Sequence, residues 1–170
     1  MKKKAKAKIC NKNLHRSLVK ILLKSPVTNI KFSKWRISLN FFGYRISDKL
    51  TVKKEDHVAE WSRKRREIFI DKNFGEKEKE KSFRALCIHE VIERFLVEKF
   101  GLKLDEEAHL VATKKEKEYL ESVKGNWRSH ELKVFWDWYK LGGHKNAHSR
   151  NRTWEPRRAW IFTLISYIVS

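Results

Sequence analysis

Apolar and polar positions alternate over residues 35–42 (WRISLNFF) and 66–71 (REIFID), in runs rich in β-branched and aromatic side chains. Both runs predict strands, and 50–53 (LTVK) predicts a shorter one, with Gly43 marking a turn. In the last run Ile68 and Ile70 share one face and Phe69 takes the other. A helical period then takes over. Over residues 76–100, Phe83, Leu86, Cys87, Val91, Ile92, Phe95 and Leu96 form a wide apolar face that ends at Gly101. Asp105 is the expected N-cap of a second helix over 106–123, with Glu106 and Glu107 in its first turn. The short Lys103-Leu104 connection predicts that these two helices are neighbours. A third helix is expected over 126–141, before Gly142-Gly143. Near the start, Leu14, Leu18, Ile21 and Leu22 place a short basic amphipathic helix over 14–24, read as a cap on the domain. The pattern predicts an α+β fold, a small and mostly antiparallel sheet packed on two or three helices.

The ends differ from the middle. Residues 1–13 (MKKKAKAKICNKN) read as a disordered basic arm, because like charges and few apolar groups cannot repay ordering. Residues 144–158 are polar and irregular, and 159–169 (AWIFTLISYIV) are apolar but too short to span a bilayer. These shifts divide the chain into an arm with its short helix (1–33), a central domain (34–123) and a Trp-rich basic extension (124–170).

Charge sharpens that division. The 170 residues carry a formal net charge of +19, which by itself points to nucleic acid. The excess is +13 over residues 1–47, zero over 48–123 and +6 over 124–170. A steering field follows clustered charge, so residues 1–47 are the expected contact for nucleic acid or another anionic surface. No apolar run is long enough for a transmembrane helix, and Lys20 and Lys24 interrupt any signal-peptide core. A cytoplasmic protein is expected. Two cysteines, Cys10 and Cys87, give neither a disulfide framework nor a Cys-based zinc module. Cys87, among apolar neighbours, reads as a small buried hydrophobe.

The neutral middle holds the constellation with chemical logic. In Cys87-Ile88-His89-Glu90-Val91-Ile92-Glu93, His89 and Glu93 project from one helix face a turn apart. An imidazole and a carboxylate at that spacing can hold one divalent ion, and Glu90 is placed to serve as general base toward a metal-activated water. Buried without such a role, these groups would be costly. A third ligand has to come from the next helix. His109, beside the small Ala108 and Ala112, is favoured; Glu107 competes, and Glu116 is a ligand or a partner orienting a histidine. The structural alternative makes His89 a hydrogen-bonded core histidine, with Glu90 and Glu93 solvated or paired with Arg94. His130-Glu131 repeats the dipeptide without a ligand four residues on and reads as surface. His144 and His148 read as loop, and Leu132, Phe135 and Tyr139 as core or an intermolecular contact.

A strand, then an HExxE helix, then Glu107-Ala108-His109-Leu110-Val111-Ala112 is an order that resembles the HExxH zinc metallopeptidases, particularly the ImmA/IrrE-like zincins and short phage or mobile-element relatives. The resemblance covers residues 34–122. It implies a minimal zincin-like fold, zinc on the central helix, Glu90 as general base, a strand such as Arg66–Asp71 lining the substrate cleft, and hydrolysis of a peptide bond in a peptide or protein. The chain departs from the pattern at Glu93, where the family has its second histidine. A carboxylate is a legitimate zinc ligand and also suits manganese or iron. The expected function is a metal-dependent hydrolase, with His89, Glu93 and His109 as ligands and Glu90 as base. The alternative is a non-catalytic basic nucleic-acid-binding protein in which the HExxE helix is structural.

Overall fold

A computed structural model describes residues 15–55, 57–72, 74 and 80–141. The arm 1–13 with Cys10, the first turns expected over 76–79, the His144/His148 segment and the apolar run 159–169 lie outside the described residues. The order is helix α1 (15–24), strands β1 (Val27–Ser33), β2 (Arg36–Phe41), β3 (Tyr44–Lys53), β4 (Ala59–Trp61) and β5 (Glu67–Asp71), then helices α2 (Glu80–Phe100), α3 (His109–Ser122) and α4 (Trp127–Lys140). This is an α+β fold with one five-stranded sheet, ordered β1-β2-β3-β5-β4. Every pairing is antiparallel except β3 with β5.

Alternation in β2 and β3 buries Ile37, Leu39, Phe41, Ile46 and Leu50 on one face, where they meet Ile88, Val91, Ile92 and Leu96 of α2. The β2–β3 hairpin turns on Phe42 (φ 49°) and Gly43 (φ 76°). Positive φ at both central residues matches the right-handed twist of the flanking strands. Two strands lay outside the expected set. β1 carries a bulge between Thr28 and Lys31, with Asn29 at φ 52°, and the bulge breaks its alternation. β4 has only three residues, too few for a period. The sheet therefore begins before residue 34, and Leu22 of α1 sits in the same core. Ile21, expected on the buried stripe of α1, is exposed instead; Leu18, Val19 and Leu23 pack beside Leu22.

Helix α2 ends in an αL cap at Gly101 (φ 63°), whose N–H donates to Val97 O at 3.0 Å, while Leu102 N donates to Leu96 O at 3.4 Å. The next helix does not start at Asp105. A π-helical turn, Leu104–Ala108, precedes α3, and Lys103 holds the N-cap position. Glu107 Oε2 reaches back to accept the N–H of Lys103 itself at 2.9 Å, the return half of a capping box, and no side chain takes the cap expected of Asp105. Ala108, Val111 and Ala112 are fully buried, as a close approach of α3 to α2 requires. Asn126 caps α4 by accepting the Ser129 N–H at 2.8 Å.

Candidate metal centre

His89 and Glu93 lie one turn apart on the buried face of α2, and His109 opens α3 directly across from them. One ligand atom from each falls within 4.8 Å of the others. Glu93 Oε2 is 2.9 Å from His109 Nδ1 and 3.4 Å from His89 Nε2. The imidazole rings of His89 and His109 stand edge to face, 4.8 Å between centroids. His89 and Glu93 are buried, whereas 31% of the His109 side chain reaches solvent.

The surroundings orient each member. His89 Nδ1 faces Glu116 Oε2 at 2.8 Å, which turns Nε2 toward the cluster. Glu116 Oε1 faces His130 Nε2 at 2.7 Å, so one buried carboxylate ties α2 to α4 through α3. Glu93 Oε1 accepts the Trp61 indole N–H at 2.9 Å, which leaves Oε2 for the cluster. Glu107 faces away, on the Lys103 N–H and 3.4 Å from His15. Glu116 stands behind His89.

Two of these partners run against the sequence pattern. His130, read as surface, is buried on a stripe that continues through Val134, Trp138 and Leu141. Tyr139 is exposed and Leu132 and Phe135 are half-buried, so the core side of α4 is that other stripe. The i, i+4, i+8, i+11 spacing from a helix capped at Asn126 carries the signal for His130. No periodic signal marks Trp61 in its short strand. The strand lining this region is also β4 rather than β5, because β5 is enclosed between β3 and β4. Arg94 does not pair with Glu90. It forms a bidentate pair with Asp48 at 2.9 and 2.6 Å and also meets Glu98.

Burial alone would discharge these carboxylates. For Glu93 it is outweighed by hydrogen bonds from His109 and His89, which hold the carboxyl below its usual range. For Glu116 it is outweighed by the charge of His89 and hydrogen bonds from His130 and His89, which bring it down to about 2. Burial also opposes the charged form of His89, yet Glu116 and Glu93 together raise it well above its ordinary value. For Glu90 the charge of His89 is too little to offset burial. Its burial, and the charge of Glu93, push its carboxyl well above the ordinary range, and Oε2 is buried without a hydrogen-bond partner.

This donor set fits a divalent metal. Two imidazoles and a carboxylate leave a fourth position open, the pattern of catalytic rather than structural zinc sites. A carboxylate behind a ligating histidine fixes its tautomer and raises its basicity, the role Glu116 is placed to play. No protein-family model, curated protein or solved structure matches the chain.

Proposed function

We propose that the chain is a metal-dependent hydrolase, of the zincin-like peptidase kind, with His89, Glu93 and His109 as metal ligands and Glu90 as general base. The observation that carries this reading is the three-residue cluster together with the buried Glu90 carboxyl, whose Oε2 has no hydrogen-bond partner. Leaving such an oxygen unsatisfied costs about 1–3 kcal/mol, and a structural role for the HExxE helix gives no reason for it. A divalent ion in this donor set supplies a polarised carbonyl and water of lowered pKa. Glu90 accepts a proton from the attacking water and returns it to the leaving amine. Burial favours its protonated form, and the carboxylate that a base needs would be favoured by a dication held by His89, Glu93 and His109. Glu93 keeps its orientation through the Trp61 indole N–H on Oε1, which leaves Oε2 for a metal. That the bond cleaved is a peptide bond rests on the resemblance to ImmA/IrrE-like zincins. Zinc is the first choice of metal, with manganese or iron suited by Glu93.

The test is Glu90→Gln in the full chain, loaded with zinc, manganese or iron(II) and assayed on a fluorogenic peptide library. The variant should keep its metal and lose turnover by a factor of about 10² or more. Turnover at the wild-type rate would reject Glu90 as the base.

A further inference from the structure

The four described helices pack on one side of the sheet. α2 covers the apolar residues of β2 and β3, α1 joins α3 where Lys115 Nζ donates to Leu23 O at 2.9 Å, and α4 joins α3 through His130 and Glu116. The other side is left open among the described residues, and strand register shows what it carries. Side chains directly opposite across a strand pair share a face. Pairing places Arg36 between Ser33 and Lys49, and Ser38 between Lys31 and Ser47. Asn40 stands between Thr28 and Arg45. These rows hold four cations, no carboxylate and no apolar side chain. A polar outer face is ordinary for an antiparallel sheet, but like charges directly opposite one another are unfavourable. Arg36 and Lys49 are such a pair, and both are exposed. Lys49 turns away to Glu67 Oε1 at 2.9 Å, while Arg36 Nη1 reaches only Ser47 Oγ at 3.4 Å. Among the described residues no ion pair ties Lys31, Arg36 or Arg45 to a carboxylate. At the hairpin end, Thr28, Asn40 and Arg45 also border an open cavity of about 660 Å³, with Phe42 and Tyr44 on its wall.

We infer that this open face of β1, β2 and β3 binds duplex DNA, with Lys31, Arg36 and Arg45 meeting phosphates and Ser38, Asn40 and Ser47 hydrogen-bonding between them. Cations, hydroxyls and amides are the side chains that hold a phosphate backbone, and this face offers no other kind. From β1 to β3 it spans about 10 Å, comparable with the roughly 12 Å major groove of B-DNA. The A-form major groove of duplex RNA is too narrow for such a surface. Single strands are held largely by stacking on aromatic side chains, and these rows contain none. A membrane-surface element needs an apolar face to bury among the lipids, and that too is missing from them. The proposed metal centre lies on the helical side of the sheet, so the inference does not depend on it.

The experiment is fluorescence anisotropy of the full chain with a labelled DNA duplex of about 20 base pairs. Oligothymidylate and duplex RNA of equal length and phosphatidylserine vesicles serve as the other arms. Lys31→Gln/Arg36→Gln/Arg45→Gln should weaken duplex DNA binding about tenfold or more at moderate salt and flatten the salt slope by about 2. Ser47→Glu gives Arg36 a carboxylate on the same face, so it should leave the urea midpoint unchanged or raised and still weaken binding about fivefold. Lys114→Gln/Lys117→Gln/Lys140→Gln removes equal charge from exposed helical positions and should change neither affinity nor slope. Failure of the wild-type chain to bind duplex DNA, full affinity in the face variants, equal losses in the control, or tighter binding to single strands, duplex RNA or vesicles would overturn the inference.

Discussion

Glu93 stands where an HExxH helix carries histidine, and its two oxygens explain how it can do so. One accepts the Trp61 indole N–H and the other faces His89 and His109. An imidazole would offer a single nitrogen to the cluster and could not accept the indole in the same way. The approach of His89, Glu93 and His109 was legible because helical spacing and the small Ala108 and Ala112 fix which faces meet. Glu116 was legible as one of two readings, the partner that orients a histidine; the role of Glu107 was not, because the π-helical turn at Leu104–Ala108 shifts which side chain reaches back to the cap. His130 was illegible for another reason: α4 mixes aromatic and charged residues on every side, so its buried stripe is plain only once its partner is known. His130 holds Glu116, which holds His89. His130→Leu should therefore weaken metal binding by about 10–100-fold, read by competition with a chromophoric chelator. His130→Gln, which can still donate to Glu116, should recover most of the affinity. Equal affinities in all three proteins would remove His130 from the support of the centre.

Among elements, the long α2 and the β2–β3 hairpin were legible from their periods, and the strands that break their period were not. β1 is interrupted by a bulge, and β4 is defined only by its pairing to β5. Yet β4 delivers Trp61 to Glu93. The contact that sets α2 on the sheet is also long-range. Arg94, one residue beyond Glu93, meets Asp48 of β3 in a fully buried pair. Removing Asp48 leaves buried Arg94 with only the part-exposed Glu98 as counter-charge. Asp48→Ala should cost about 3–5 kcal/mol in urea unfolding. The double change Asp48→Leu/Arg94→Met should cost much less, because no charge is left stranded. A double variant as unstable as the single one would show that the pair is needed for its geometry and not only for charge balance.

At the scale of the whole molecule, the charge count separated flanks from middle, but packing does not follow that division. Strand pairing and burial cross the boundary drawn at residue 34. α1 and β1 belong to the core, and α4, assigned to the extension, reaches the centre through His130. Among the described residues no helix is long and apolar enough to cross a membrane. What unites α2, α3, α4 and β4 is one polar cluster inside an apolar fold, in which His89, Glu93 and His109 could hold a divalent ion. The most direct measurement is metal content by mass spectrometry of the full chain, expressed with zinc, manganese and iron supplied, beside His109→Ala. The account predicts about one divalent ion per folded wild-type chain and its loss from the variant, with circular dichroism unchanged. A folded wild-type chain carrying no metal under all three conditions would contradict it.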